Sequence, residues 1–145
     1  MLIFEVHGRA VPQGKGVGNG RIFTPKKIKE YIEMLQWQIK PFAPSEPLTC
    51  PVLVDITCYF AVPKSTPTKK RNLMLNGVIH HIVYPDEDNC SYIIRNAMKK
   101  IVYEDDRQIT DNIGRKRWGE RDKIVIKVIP IEEIQPNMRL TCALS

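Results

Sequence analysis

Apolar residues recur along this chain with two periods. Residues 2–6 alternate and read as a short strand. Residues 52–62 form a longer run of β-branched and aromatic side chains, closed by Pro63. Residues 107–118 and 122–131 read as two more strands, and Gly119-Glu120-Arg121 between them predicts a β-hairpin. The helical period appears twice. Thr24 is placed to cap a first helix with Pro25 at its first position, and Ile28, Ile32, Leu35 and Ile39 make one apolar stripe before Pro41 and Pro44 end it. A second helix is predicted over roughly 88–102, burying Ile93, Ile94, Ala97, Met98 and Ile101. Residues 72–84 fit neither period. The expected fold is a single α+β domain over residues 1–131, a small mixed β-sheet of about four strands with two main helices, followed by a C-terminal tail at 132–145.

Charge narrows the partners. The formal net charge is +6 and the pI about 9.2, which favours an anionic partner, nucleic acid first among them. No apolar run approaches the roughly 18 residues of a membrane span, and Glu5 interrupts the opening apolar residues too early for a signal peptide. The four cysteines show no C-x-x-C spacing, so free thiols and a cytoplasmic setting are expected. His80-His81 reads as a solvated loop rather than a metal pair. The segment Gly8–Gly20 carries five glycines with Arg9 and Lys15, a loop that could admit a phosphate backbone or simply be solvated. Neither phosphate-loop nor dinucleotide fingerprints occur in it. Further cations gather at Lys26, Lys27 and Lys29, at Lys64 to Arg71, and at Arg115, Lys116 and Arg117 beside Trp118. The last group suits nucleic acid, or equally an edge strand protected by charge.

The chemistry concentrates at Asp86-Glu87-Asp88-Asn89 and Glu104-Asp105-Asp106, on either side of the second predicted helix. Converging carboxylates suit Mg²⁺, a hard cation that takes oxygen ligands. A helix of about fifteen residues is roughly 22 Å long. The two clusters can therefore meet only if the chain after Asp106 returns beside the helix start. The plainer alternative is that Asp86 and Asp88 serve only a turn and a helix cap.

Pro85-Asp86-Glu87-Asp88-Asn89, a helix, and then Asp105-Asp106-Arg107-Gln108-Ile109 resemble the P-D-x-D-N and D-D-x-Q-[IV] motifs of the RusA-type Holliday-junction resolvases. Gly8-Arg9-Ala10-Val11-Pro12, Arg21-Ile22-Phe23-Thr24-Pro25 and the basic connector from Pro63 to Arg71 are similar to that family's upstream segments, so the resemblance runs over roughly residues 4–130. It implies a prokaryotic or phage-encoded endodeoxyribonuclease. The enzyme would be a homodimer that binds branched DNA and cuts two opposed strands of a four-way junction with Mg²⁺, or Mn²⁺ in its place. Carried over by position, Asp86, Asp88 and Asp106 are the metal ligands and Asp105 their acidic neighbour. Arg9, Lys15, Arg21, Lys26, Lys27, Lys69, Lys70, Arg71, Lys116 and Arg117 are the expected DNA contacts. Two departures matter: Tyr92 stands where the family has a lysine, and Asn96 where it often has an aspartate. Arg95, about two turns from Asp88, is the candidate substitute for the missing cation. Without such a substitute the chain would be a junction-binding protein with weak or lost catalysis.

Overall fold

The computed structural model describes residues 1–12 and 25–131. Four strands, β1 (Leu2–His7), β2 (Val52–Ala61), β3 (Ile109–Gly119) and β4 (Lys123–Pro130), form one mixed sheet in the order β1-β4-β2-β3. Three helices accompany it: α1 (Pro25–Ile39), continued by a 3₁₀ turn at Lys40–Phe42, α2 (Thr68–Leu75) and α3 (Glu87–Met98). The α+β class, the four mixed strands and the two longer helices match the sequence expectation. The basic connector adds the third helix. Thr24 and the proposed tail at 132–145 lie outside the described residues.

The predicted hairpin is not formed. β3 pairs in parallel with β2, β4 pairs antiparallel with β2 on its other side, and β2 therefore separates the two. The reason lies in β2, where Val52, Val54, Ile56, Thr57, Cys58 and Phe60 are all buried. A strand this apolar is stable only as a central strand, with ladder partners on both edges. β3, mostly exposed, takes the outer edge. The link from Gly119 to Lys123 has only to cross about 10 Å, two strand spacings. It is fixed by the Asp122 carboxylate, which accepts from the Ala61 amide at 2.8 Å, and by the Val62 amide, which donates to the Gly119 carbonyl at 3.0 Å.

The pairing register puts Phe4, Val6, Val54, Ile56, Cys58, Phe60, Ile124, Ile126 and Val128 on one face. There they meet Tyr31, Leu35 and Ile39 of α1 and Cys90, Ile93, Ile94, Ala97 and Met98 of α3 in a single core. Each buried aliphatic contributes about 1.5–3 kcal/mol relative to exposure. Of the predicted α1 stripe, Leu35 and Ile39 are fully buried, Ile28 and Ile32 partly so, and Tyr31 joins them.

α3 ends at Met98, four residues short of the predicted stop. Lys99 is extended and Lys100 takes a positive φ of 70°. A left-handed non-glycine residue costs about 1–2 kcal/mol. The turn is held by the Val102 amide on the Met98 carbonyl (2.8 Å) and the Lys100 amide on the Tyr103 carbonyl (2.7 Å). It lets Tyr103 fold back into the core, fully buried, with its hydroxyl donating to the Arg95 carbonyl at 2.5 Å.

Candidate active site

Asp86 occupies the N-cap position of α3, but its carboxylate makes no capping bond. Only its backbone carbonyl serves the helix, accepting from the Cys90 amide. Asp88 accepts from the amide of Asn89 at 3.0 Å. Both side chains stand exposed, and among the described residues no cation pairs with either. A cap explanation accounts for the position of Asp86 and not for its carboxylate. Glu87, between them, turns inward instead, accepting from the Ser91 hydroxyl and lying over Gly114 of β3. A Cβ at Gly114 would collide with that carboxylate, so β3 passes the start of α3 at a residue that has none. The positive end of the α3 dipole lowers the cost of gathering these acids in the first turn.

The loop before Asp86 is pinned from β3. The Lys116 ammonium donates to the carbonyls of Val83 and Pro85, each at 2.9 Å. His81 is buried, not solvated, with its ring 4.4 Å from both Phe60 and Trp118. Burial, with the Lys116 and Arg9 charges beside it, lowers the affinity of His81 for a proton. His80 remains exposed, as expected of the pair.

Asp105 and Asp106 lie elsewhere, at the C-terminal end of α3. Lys99, the residue that follows the helix, reaches Asp105 at 3.6 Å and Asp106 at 3.9 Å. Asp105 is a structural residue here. It caps the 3₁₀ turn Asp106–Gln108, accepting from the Arg107 amide at 2.9 Å. That amide bond first, then the side chains of Asp106 and Arg107 and the Lys99 charge, hold its carboxyl well below the usual range. Gln108 closes the reciprocal half of the box and donates to the carbonyls of Leu48 (2.7 Å) and Cys50 (2.9 Å). The composition of the D-D-x-Q motif is thus partly explained by fastening two distant segments, a role sequence spacing alone did not disclose. Asp106 is the outward member, with its side chain 48% exposed.

The chain does return beside the helix start, but at Gly114 and Lys116 rather than at Asp106. Ten helical residues, Asn89 to Met98, lie between the two acidic groups, about 15 Å of rise. Among the described residues no three Asp, Glu, His or Cys side chains come together closely enough to hold a metal ion. Asp86 and Asp88 stand at one end of α3 and Asp106 beyond the other. Arg95 is in the last turn of α3. Its backbone carbonyl receives the Tyr103 hydroxyl, and both its charge and that of Asp106 act on that hydroxyl. Arg95 therefore belongs to the Asp106 end. Tyr92 stands outward at 47% exposure.

Of the expected DNA contacts, Lys26, Lys27, Lys69 and Lys70 are exposed and Arg71 is half-buried. Arg9 lies over the Phe60 ring at 5.2 Å, and Arg117 donates to the Lys116 carbonyl. Lys116 is engaged in holding the acidic loop. Lys15 and Arg21 lie outside the described residues. Cys50, Cys58 and Cys90 are free thiols, and burial raises the affinity of Cys58 and Cys90 for their protons. Among the described residues no helix is long and apolar enough to cross a membrane.

Comparison with known proteins gives two findings. A family described as Endodeoxyribonuclease RusA matches residues 4–129. The chain is also 27% identical over 135 residues to a Bacillus subtilis (strain 168) protein named Uncharacterized protein YqaN, covering 86% of this chain and 93% of that protein.

Proposed function

The chain belongs to the RusA endodeoxyribonuclease family, and from that premise we propose that it resolves four-way DNA junctions by Mg²⁺-dependent hydrolysis, with Mn²⁺ as an alternative ion. The observation that carries this reading is that Asp86 and Asp88 stand outward and, among the described residues, pair with no cation. Two exposed carboxylates of this kind are hard oxygen donors such as Mg²⁺ takes, and Asp106 supplies a third of the same type. Held by Asp86, Asp88 and Asp106, Mg²⁺ would supply charge neutralisation at the scissile phosphate and a more acidic water. The residues of the chain hold the ion, set the phosphate and supply positive charge, the last assigned to Arg95 in place of Tyr92.

In this reading Asp86 and Asp88 form one half of the metal site and Asp106 the other, and their separation shapes the assembly. A two-fold axis perpendicular to α3 lays two copies of the helix antiparallel. The Asp86–Asp88 end of one copy then approaches the Asp106 end of the other. A homodimer of this kind has two equivalent sites, the number needed to cut two opposed strands. Lys26, Lys27, Lys69, Lys70, Arg71, Arg9 and Arg117, with Lys15 and Arg21, hold the arms of the junction through their phosphates.

One observation favours a second reading, binding with weak or lost catalysis: the exposed Tyr92 in the position of the family lysine. Cleavage of a synthetic four-way junction with and without Mg²⁺ decides between them. Asp88→Asn and Asp106→Asn should each be inactive alone. Mixed and allowed to exchange subunits, they should regain nicking, because one of the two sites in the mixed dimer then has both native aspartates. Sites confined to single chains would give no recovery.

A further inference from the structure

The segment joining α2 to α3 is anchored at both ends of a short apolar ridge. His81 is only 5% exposed and stacks between Phe60 and Trp118. Pro85 is buried, and Lys116 grips the carbonyls of residues 83 and 85. Between these anchors Ile82, Val83 and Tyr84 project into solvent at 88%, 54% and 56% exposure. Apolar side chains normally gain by burial. An anchored loop that fixes three of them outward presents a binding surface.

The ridge is continuous with the candidate metal ligands. Tyr84 is two residues from Asp86, no more than about 8 Å between Cα atoms. Bases rise about 3.4 Å per nucleotide along a duplex strand. Any phosphate held at Asp86 therefore brings its two or three neighbouring nucleotides against the ridge. Duplex DNA hides its base faces in the stack, whereas a branch point exposes them. Resting on the nuclease reading, the geometry points to Ile82, Val83 and Tyr84 as a wedge and stacking platform for unstacked bases at the branch of the DNA. Ile82 and Val83 enter a base step, as apolar wedges do. Tyr84 takes a freed base face, which is sequence-tolerant recognition.

The test uses the full chain and a synthetic four-way junction carrying 2-aminopurine at the branch, without metal. Wild type should raise its fluorescence on binding. Ile82→Ser and Tyr84→Ala should lose that rise and weaken junction binding roughly tenfold or more for each stack removed. Binding to duplex should be unchanged, and Tyr84→Phe should behave as wild type. Unchanged fluorescence and junction affinity in the Ala and Ser variants would overturn the wedge. So would their dissociation into monomers by sedimentation, which would make the ridge an interface between copies. Wild type that neither binds nor cuts the junction would overturn the nuclease reading itself, a result distinct from both.

Discussion

Lys116 Nζ donates to the Pro85 carbonyl oxygen at 2.9 Å and to the Val83 carbonyl oxygen at the same distance. An edge-strand lysine that sequence reasoning assigns to DNA is, in the fold, the tether of the loop that ends in Asp86. A partner that orients a metal-ligand loop typically matters about 10- to 100-fold in metal affinity or activity. Lys116→Met should therefore lower junction cleavage by about that factor, with Lys116→Arg recovering part of it. The salt dependence of DNA binding separates the two roles. Loss of a phosphate contact reduces the slope by about one, and Lys116→Met should leave it unchanged.

The two aspartates of Asp105-Asp106 should respond differently. Asp106→Asn should abolish cleavage and preserve the melting temperature. Asp105→Ala removes the cap of the 3₁₀ turn and should lower the melting temperature, with cleavage less affected. Thermal unfolding and junction cleavage measured on both variants check the assignment.

Gln108→Ala removes the donor to the Leu48 and Cys50 carbonyls and the acceptor of the Asp105 amide. The Leu48 carbonyl keeps the Glu104 amide, but the part-buried Cys50 carbonyl and Asp105 amide lose these partners, at up to about 1–3 kcal/mol each. The melting temperature should fall by several degrees. An unchanged melting temperature would remove Gln108 from its structural role.

His81 gives the fold a pH dependence with a definite sign. Its proton affinity is lowered in the folded state, so below about pH 6.5, the ordinary histidine value, the unfolded chain binds more protons. Stability from this group is fully present above that pH and is lost as pH falls from there through the folded value. His81→Phe keeps a ring between Phe60 and Trp118 and removes the titration. Its stability should vary less than wild type between pH 7 and pH 5 in denaturant melts.

Arg95 is assigned the positive charge that Tyr92 lacks. Arg95→Ala should slow cleavage by about 10²-fold or more, the usual scale for one electrostatic contact in a site. Junction affinity should fall far less, since many other cations share that contact. Tyr92→Lys should leave cleavage unchanged or raise it. In a binding-only protein Arg95→Ala would change nothing.

What the sequence determined alone is local. The alternation of residues 2–6, the β-branched run from Val52, the α1 stripe and the Ile93-Ile94-Ala97-Met98 face are patterns within about a dozen residues, and each became the element it predicted. The acidic motifs and the basic balance were legible for the same reason: residue type and spacing are properties of the chain itself. Tertiary structure decided where distant pieces meet. Phe60 pairs with Trp118 on one side of β2 and Tyr59 with Lys123 on the other, which splits the expected hairpin because a doubly buried strand outcompetes the short-range turn. Burial of Tyr103 stops α3 at Met98 against the continuing apolar spacing, and its turn leaves Asp106 beside Lys99. Lys116 is tied to Pro85 across 31 residues and Gln108 to Leu48 across 60. Such contacts depend on which faces the whole core must cover, and no local period records that.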